Sequence, residues 1–523
     1  MSCSVRDAFI EQLRLFGMTS VFGNPGSTEL PMFRDFPDDF RYVLGLQESV
    51  VVAMADGYAQ ATGNASIVNL HSAAGVGHAM GNIFTAYKNR TPLVITAGQQ
   101  ARSMLLGEPF LHADQATELP KPYVKWSSEP ARAQDVPAAL ARAYHLAMAP
   151  PRGPVFLSVP VDDWDAPVDA TQPLAPRSVS TAVRADPALL DKVANALADA
   201  DRPGLVVGAG VDRDRAFAET VALAERHQAR VWVAPMSARC SFPESHPLFA
   251  GFLPTARHGI RGCLDEHDVV VVLGAPVFAY HVEDAGPHVS EGTAVFQLVD
   301  DPASAAGTPV GTSVVTSLRL GVRDLLGGPE PKPRSSPQRW VRPPRVEGQN
   351  ELSEELLMQT LADLRPETSI VVEEAPTTRR AMHDHLPFDQ PESFYTCASG
   401  GLGHGLPAAV GIALARPEQQ VIALLGDGSS MYAIQGLWSA AHESLPIVFV
   451  IVNNQGYAAI DEFARHFGVG KPVGTTLTDI DFAGLARSMG CVGTVVRRPD
   501  ELTTALLDAL ASPTPTLVDV HVR

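Results

Sequence analysis

Short apolar runs recur along the whole chain and alternate with longer stretches patterned at helical spacing. In the first third the runs are SVFGN, YVLGL, SIVNL and PLVIT, with VFLSVPVD closing the series. In the middle they are GLVVGAG, RVWVA, VVVVLG and TAVFQLV; in the last third, SIVVEE, QVIALLG, PIVFVIVNN and TPTLVDV. Unbroken apolar runs bounded by turn residues suit strands covered on both faces, the condition of a parallel sheet flanked by helices. Stretches such as SVVVAMADGYAQATG supply those helices. The pattern predicts an α/β fold built from three doubly wound parallel sheets.

Two segments break the alternation. Residues 166–187 are polar and aperiodic, and residues 325–350 are denser still in proline, so both read as linkers. Cutting there leaves an N-terminal domain at 1–165, a central domain at 188–324 and a C-terminal domain at 351–523. A chain of 523 residues exceeds what one core organises, which fits three pieces. Apolar residues at 45% and charged residues at 19% are ordinary for a globular protein. The net charge of −18 argues against nucleic acid or an anionic membrane surface as partner, and leaves a small anionic substrate open. The longest apolar runs, such as IVFVIV at 447–452, fall far short of the roughly 20 residues of a membrane span. The charged, amphipathic start MSCSVRDAFIEQL does not read as a signal peptide. A soluble, cytoplasmic protein with its five scattered cysteines reduced is the expectation.

The chemistry concentrates in the last third. QVIALL ends at Gly426-Asp427-Gly428, and PIVFVIV ends at Asn453-Asn454 after the helix-compatible segment YAIQGLWSAAHES. A right-handed crossover puts both strand ends on one carboxyl edge of the sheet, where open α/β folds bind ligands. Asp427 and Asn454 then offer two hard oxygens, which suit Mg²⁺ bridging a diphosphate. Ser429 and Ser430 would stand at a helix N-terminus, an anion site. A lone GDG is a common strand-to-turn corner; GDG with NN about 27 residues later is the thiamine diphosphate signature. Glu48 ends the strand YVLGLQ and opens an apolar helix, where burial would raise its pKa.

Further segments follow in order: FGNPGS at 22–27, QE at 47–48, NLHSAAG at 69–75, TAGQQ at 96–100, VKWS at 124–127, GAPVF-YH at 274–281 and GGLG at 400–403. Together with the GDG…NN unit they span nearly the whole chain, and the chain resembles the benzoylformate decarboxylase family. That resemblance implies an aminopyrimidine-binding N-terminal domain, a Rossmann-like central domain and a C-terminal domain binding diphosphate and Mg²⁺. It implies that Glu48 bonds a pyrimidine ring nitrogen, that the Gly400 carbonyl accepts from the pyrimidine amino group, and that Leu402 is the wedge beneath the bent cofactor. Gly426, Asp427, Gly428, Ser429, Asn454 and Tyr457 would surround the diphosphate, with the Gly456 carbonyl as third metal ligand. Ser27, His71 and His281 match the catalytic serine and histidines, and histidine suits proton transfer near neutral pH.

The resemblance further implies active sites at a dimer interface, commonly within a homotetramer. The reaction would be decarboxylation of an aryl 2-oxo acid, benzoylformate to benzaldehyde and CO₂, with aldehyde carboligation as a side activity and mandelate breakdown as its setting. Phe110 and Leu111 match a leucine pair that lines the family's substrate pocket, and Ile460 and Phe463 share a face if their segment is helical. The chain departs from the family at Thr28, Pro376 and Gly456, and Asp461-Glu462 stands where the family has a basic residue and a tryptophan. His78, His112, His404, His442 and His466 read as structural histidines. An acetolactate-synthase-like carboligase is a second reading, weakened because GAG at 208–210 is the middle domain's sole phosphate-loop lookalike. A non-catalytic cofactor-binding paralogue is a third, weakened because Glu48, His71 and His281 are all present.

Overall fold

The computed structural model describes residues 3–168, 177–347 and 351–522. The first sheet contains β1 (Ser20–Gly23), β2 (Arg41–Leu44), β3 (Ser66–Leu70), β4 (Leu93–Gln99), β5 (Ser127–Ser128) and β6 (Val155–Pro160) in the order β2-β1-β3-β4-β6-β5. The second contains β7 (Pro203–Val207), β8 (Arg230–Val233), β9 (Phe249–Phe252), β10 (Val269–Leu273), β11 (Ala294–Val299) and β12 (Thr312–Val315), ordered β12-β11-β10-β7-β8-β9. The third contains β13 (Ile370–Glu374), β14 (Phe394–Thr396), β15 (Val421–Gly426), β16 (Val448–Asn453), β17 (Val492–Val496) and β18 (Thr516–His521), ordered β14-β13-β15-β16-β18-β17. The sheets are parallel, as the unbroken apolar runs require, and every residue of β3, β4, β6, β7, β10 and β13 is buried. No described helix is long and apolar enough to cross a membrane.

The chain forms two compact units, one of residues 1–179, 346–382 and 399–523, the other of 180–345 and 383–398. In the second unit the proline-rich stretch is not a free tether. Arg334 donates to the carbonyls of His227 at 2.7 Å and Ala198 at 2.9 Å, and Arg342 pairs with buried Glu244 at 3.1 Å. Proline withholds backbone donors, and arginine side chains anchor the segment to the central sheet's helices instead.

Within the first unit, the helices Glu48–Thr62 and Gly405–Ala415 cross at backbone contact. Residues 405–413 are all buried, so this helix is apolar around its whole circumference. The approach is set by two glycines: a Cβ on Gly411 would lie 1.9 Å from the Met54 carbonyl oxygen, and one on Gly57 would lie 2.2 Å from that of Ala408. Beside the crossing, Asp56 and His404 form a fully buried pair at 2.8 Å, and Asn89 donates to the same Asp56 oxygen at 2.7 Å. Burial opposes the charge on each partner, but their mutual attraction prevails: Asp56 is held below the ordinary carboxylate range and His404 above the ordinary imidazole value. His404 is thus committed to a buried ion pair.

Gly411→Ala is expected to cost about 3 kcal/mol or more by overpacking, lowering the thermal midpoint by several degrees; an unchanged midpoint would contradict the crossing. The Asp56–His404 pair sets a pH dependence. His404, raised in the fold, contributes stability below about pH 6.5 that is lost as pH rises through its folded value. Asp56, lowered, contributes above about pH 3.9 and loses its share as pH falls through its folded value. The stability gap between the wild type and Asp56→Asn, measured by urea unfolding, should therefore be widest near pH 5 and narrow toward pH 9.

Candidate active site

β15 and β16 pair in parallel with Gly426 opposite Val452, so the residues beyond both strands emerge at one edge. Asp427 Oδ2 and Asn454 Oδ1 both accept from the Gly456 N–H, at 3.0 and 3.1 Å, which gathers the GDG and NN motifs around one backbone atom. The Asp427 carboxyl is buried, which raises its pKa against the pull of the Gly428 and Gly456 N–H groups. Among the described residues no group of three or more His, Cys, Asp or Glu side chains could hold a metal. The Asp427 carboxylate and the Asn454 amide oxygen are hard donors of the kind that suits Mg²⁺ completed by phosphate and water. A Cβ on Gly428 would lie 2.2 Å from the Tyr457 ring, so the tyrosine covers the glycine turn.

Two expectations about this unit change. Ser429 and Ser430 lie inside the short helix Asp427–Ser430, with their hydroxyls turned back onto carbonyls: Ser429 donates to Glu374 at 2.6 Å and Ser430 to Gly426 at 2.7 Å. The hydroxyls brace the turn. The helix foreseen from Tyr432 begins at Gly436, because the N–H groups of Tyr432, Ala433 and Gly436 each bond the carbonyl three residues back. Those tight turns let Tyr432 reach Gly403, where an added Cβ would lie 2.8 Å from the tyrosine Cβ.

The GGLG loop is held from both sides. Glu374, at the end of β13, accepts from Gly403 N at 2.6 Å, His404 N at 2.8 Å and also Gly405 N. Burial raises its pKa to about 7 in spite of these donors. From the other side, the helix Ser72–Asn89 supplies Asn82, bonded to the Gly403 carbonyl at 3.1 Å, and Thr85, 2.8 Å from Ser399. Leu402 is half-buried and Gly400 takes a left-handed φ of +70°.

The same helix begins at a second cluster. His71 is its N-cap residue, and its Nδ1 lies 2.8 Å from Glu29 Oε2. Glu29 is 1% exposed, and Gly26 N at 3.0 Å, Gly98 N at 3.0 Å and Thr28 Oγ1 at 2.6 Å complete its four contacts. All four acceptor positions of the carboxylate are filled. A Cβ on Gly26 would lie 2.0 Å from His71 Nδ1, so the NPGS turn packs directly on the imidazole. Ser27 is exposed between Gly26 and Thr28, both of which touch His71. Glu29 escaped the sequence reading; its signal was an acid three residues beyond Gly26, within reach of the turn's own N–H.

Comparison with known proteins bears on the whole chain. Residues 3–118, 190–325 and 376–520 match the N-terminal TPP binding, central and C-terminal TPP binding domains of thiamine pyrophosphate enzymes. The benzoylformate decarboxylase of Pseudomonas aeruginosa is 45% identical over 99% of this chain and 98% of its own. The chain belongs to the benzoylformate decarboxylase family of thiamine diphosphate-dependent enzymes. A solved thiamine diphosphate-dependent 4-hydroxybenzoylformate decarboxylase from Rhodococcus jostii RHA1 superposes with a TM-score of 0.96 at 41% identity, covering 99% of both chains. The acetolactate synthase large subunit of Haemophilus influenzae is more distant, 25% identical over 96% of this chain and 91% of its own.

Against that family frame, the remaining candidates divide. Gln47 caps the helix Glu48–Thr62 by accepting from Ser49 N at 2.6 Å, which frees the Glu48 side chain from that duty. Ile460 and Phe463 share a face of the helix Ala458–His466, as the spacing required. The four pocket candidates do not form a buried cluster in this chain: Phe110 is 88% and Ile460 47% exposed, while Leu111 and Phe463 are half-buried. Asp461 and Glu462 are exposed. His281 lies in the second unit, where its N–H bonds the Thr255 carbonyl at 3.0 Å. Thr28, one of the departures from the family pattern, donates to Glu29.

Glu29→Gln is expected to lower kcat on the order of a hundredfold, with KM nearly unchanged, because the neutral amide has one acceptor oxygen for four donors and no longer holds the His71 N–H with a charge. A steady-state kcat within about threefold of wild type would show that Glu29 only fills space.

Proposed function

We propose that this chain catalyses thiamine diphosphate- and Mg²⁺-dependent, non-oxidative decarboxylation of an aryl 2-oxo acid, with benzoylformate giving benzaldehyde and CO₂. The single observation that carries this reading is the contact of buried Glu29 with half-buried His71 beside the Ser27 turn. It gives the imidazole a carboxylate acceptor next to the turn that carries Ser27, which supports a reading in which one group moves a proton and the other binds a carboxylate. Asp427, Asn454 and the Gly456 carbonyl would hold Mg²⁺, and the GDG backbone the diphosphate, with Gly426, Ser429 and Tyr457 shaping that turn. Gly400, Leu402 and Glu48 would hold the aminopyrimidine. Thiamine diphosphate supplies the nucleophilic carbon and the electron sink that loss of CO₂ requires.

The chain's own groups do the rest. Ser27 donates to the substrate carboxylate and sets its orientation. Glu29 accepts from the His71 Nδ1–H, which fixes the tautomer and presents Nε2 to the substrate. His281 serves as the second proton carrier, an assignment supported by its place in the GAPVF-YH segment. Leu111 and Phe463, with Phe110 and Ile460, would line the aryl site; the exposure of the last two supports a pocket closed by a second subunit. Active sites shared across a dimer, assembled as a homotetramer, fit that exposure. Carboligation of aldehydes would accompany decarboxylation when a second carbonyl competes with a proton.

The test is CO₂ release from benzoylformate, pyruvate and phenylpyruvate by protein loaded with Mg²⁺ and thiamine diphosphate. Benzoylformate should be turned over best, and failure to turn over any aryl 2-oxo acid would refute the proposal. Dialysis against EDTA should abolish activity and Mg²⁺ should restore it. Full activity retained without divalent cation would remove the metal from the scheme.

A further inference from the structure

The sequence placed His78 among the structural histidines, yet its Nδ1 lies 3.1 Å from Glu48 Oε2. Glu48 begins the helix Glu48–Thr62, and His78 sits two turns into the helix Ser72–Asn89. Between them stands Gly75, one turn before His78 on the same face; a Cβ there would lie 3.1 Å from Glu48 Oε1 and 3.3 Å from its Cγ. The carboxylate is thus flanked by a position bare of side chain and by one ring nitrogen. Its side chain is 15% exposed, whereas that of His78 is 62% exposed, so the histidine reaches in from the open side. Among the described residues His78 is the one hydrogen-bond partner of the Glu48 side chain. A carboxylate only accepts, so Nδ1 carries the proton in this contact and Nε2 faces outward.

We infer that His78 is a positioning residue for Glu48: it engages Oε2 and leaves Oε1, the oxygen beside Gly75, to face the pyrimidine nitrogen. The inference rests on the reading of Glu48 as the residue that engages the aminopyrimidine. A carboxylate on a helix N-terminus has several staggered rotamers open to it. The Gly75 backbone and the His78 N–H restrict these to one in which a single oxygen stays free. A contact as exposed as this adds little to stability. Its effect falls on the orientation of the reacting oxygen, where small displacements alter rates.

The experiment is deuterium exchange at C2 of thiamine diphosphate bound to the full-length protein with Mg²⁺, followed by acid quench and proton NMR. Cofactor affinity is measured alongside by fluorescence titration. His78→Leu should slow exchange about three- to tenfold while leaving cofactor affinity within about twofold. His78→Asn and His78→Gln, which keep a neutral N–H donor, should recover most of the rate. Exchange in His78→Leu equal to wild type, with Glu48→Gln collapsed, would overturn the role of His78 while sparing that of Glu48. Exchange unaffected in Glu48→Gln would overturn the reading of Glu48 and this inference with it. Equal slowing in all three His78 variants would show a merely steric role and would also overturn the proposal. If His78→Leu does not fold, the Asn and Gln variants decide: rates near wild type support the donor role, and rates as low as Glu48→Gln refute it.

Discussion

The close crossing of the helices Glu48–Thr62 and Gly405–Ala415 is the constraint on which the first unit depends. Both helices are apolar enough to require burial, and each is the other's main partner. Two glycines bring the backbones together, and the buried Asp56–His404 pair fixes their register. An apolar interface alone tolerates sliding, because dispersion contacts are nearly equivalent after a small shift. A buried ion pair does not tolerate it, since losing its partner leaves an uncompensated charge. The two elements so locked begin, respectively, at Glu48 and just after the GGLG loop.

A third helix, Ser72–Asn89, ties the chemistry to that lock. Its N-cap is His71, its first turns face Glu48 through Gly75 and His78, and its later turns hold Ser399 and Gly403 through Thr85 and Asn82. It ends at Asn89, which bonds Asp56. Residues four or three apart along one face therefore reach the Glu29 cluster, Glu48, the GGLG loop and the Asp56–His404 lock in succession. A rigid element with 1.5 Å rise per residue spaces them. That is a better ruler than a set of loops would be.

Much of this was legible in the chain. The strand ends at Asp427 and Asn454 followed from apolar runs and chain-crossing handedness, because buried parallel strands leave an unmistakable compositional trace. Ser27, Glu48 and His71 were singled out by motif context, and the structure puts His71 at the N-cap of the helix Ser72–Asn89 and Glu48 at the start of its own helix. What was not legible depended on contacts between elements distant in sequence. Glu29 looks like any surface acid until β4 brings Gly98 N beside it. His78 is unremarkable until two helices are placed side by side. Local sequence put Ser429 and Ser430 at a helix N-terminus but cannot reveal that the Glu374 carbonyl waits behind the Ser429 hydroxyl. The proline-rich stretch read as a tether because its arginine anchors find carbonyls more than a hundred residues away.

The saturated carboxylate of Glu29 has a consequence for how this turn can change over evolution. Each of its four contacts comes from a different residue, and the carboxylate is sealed from water. Replacing His71 therefore does two things at once: it deletes the proposed proton carrier and strands a buried negative charge with an unfilled acceptor. The effects of substitutions here are epistatic. A lineage that abandons His71 must first, or simultaneously, neutralise Glu29, so the pair is gained or lost as a block. Activity lost in a single His71 variant would accordingly mix catalytic and conformational deficits, and only the double replacement separates them.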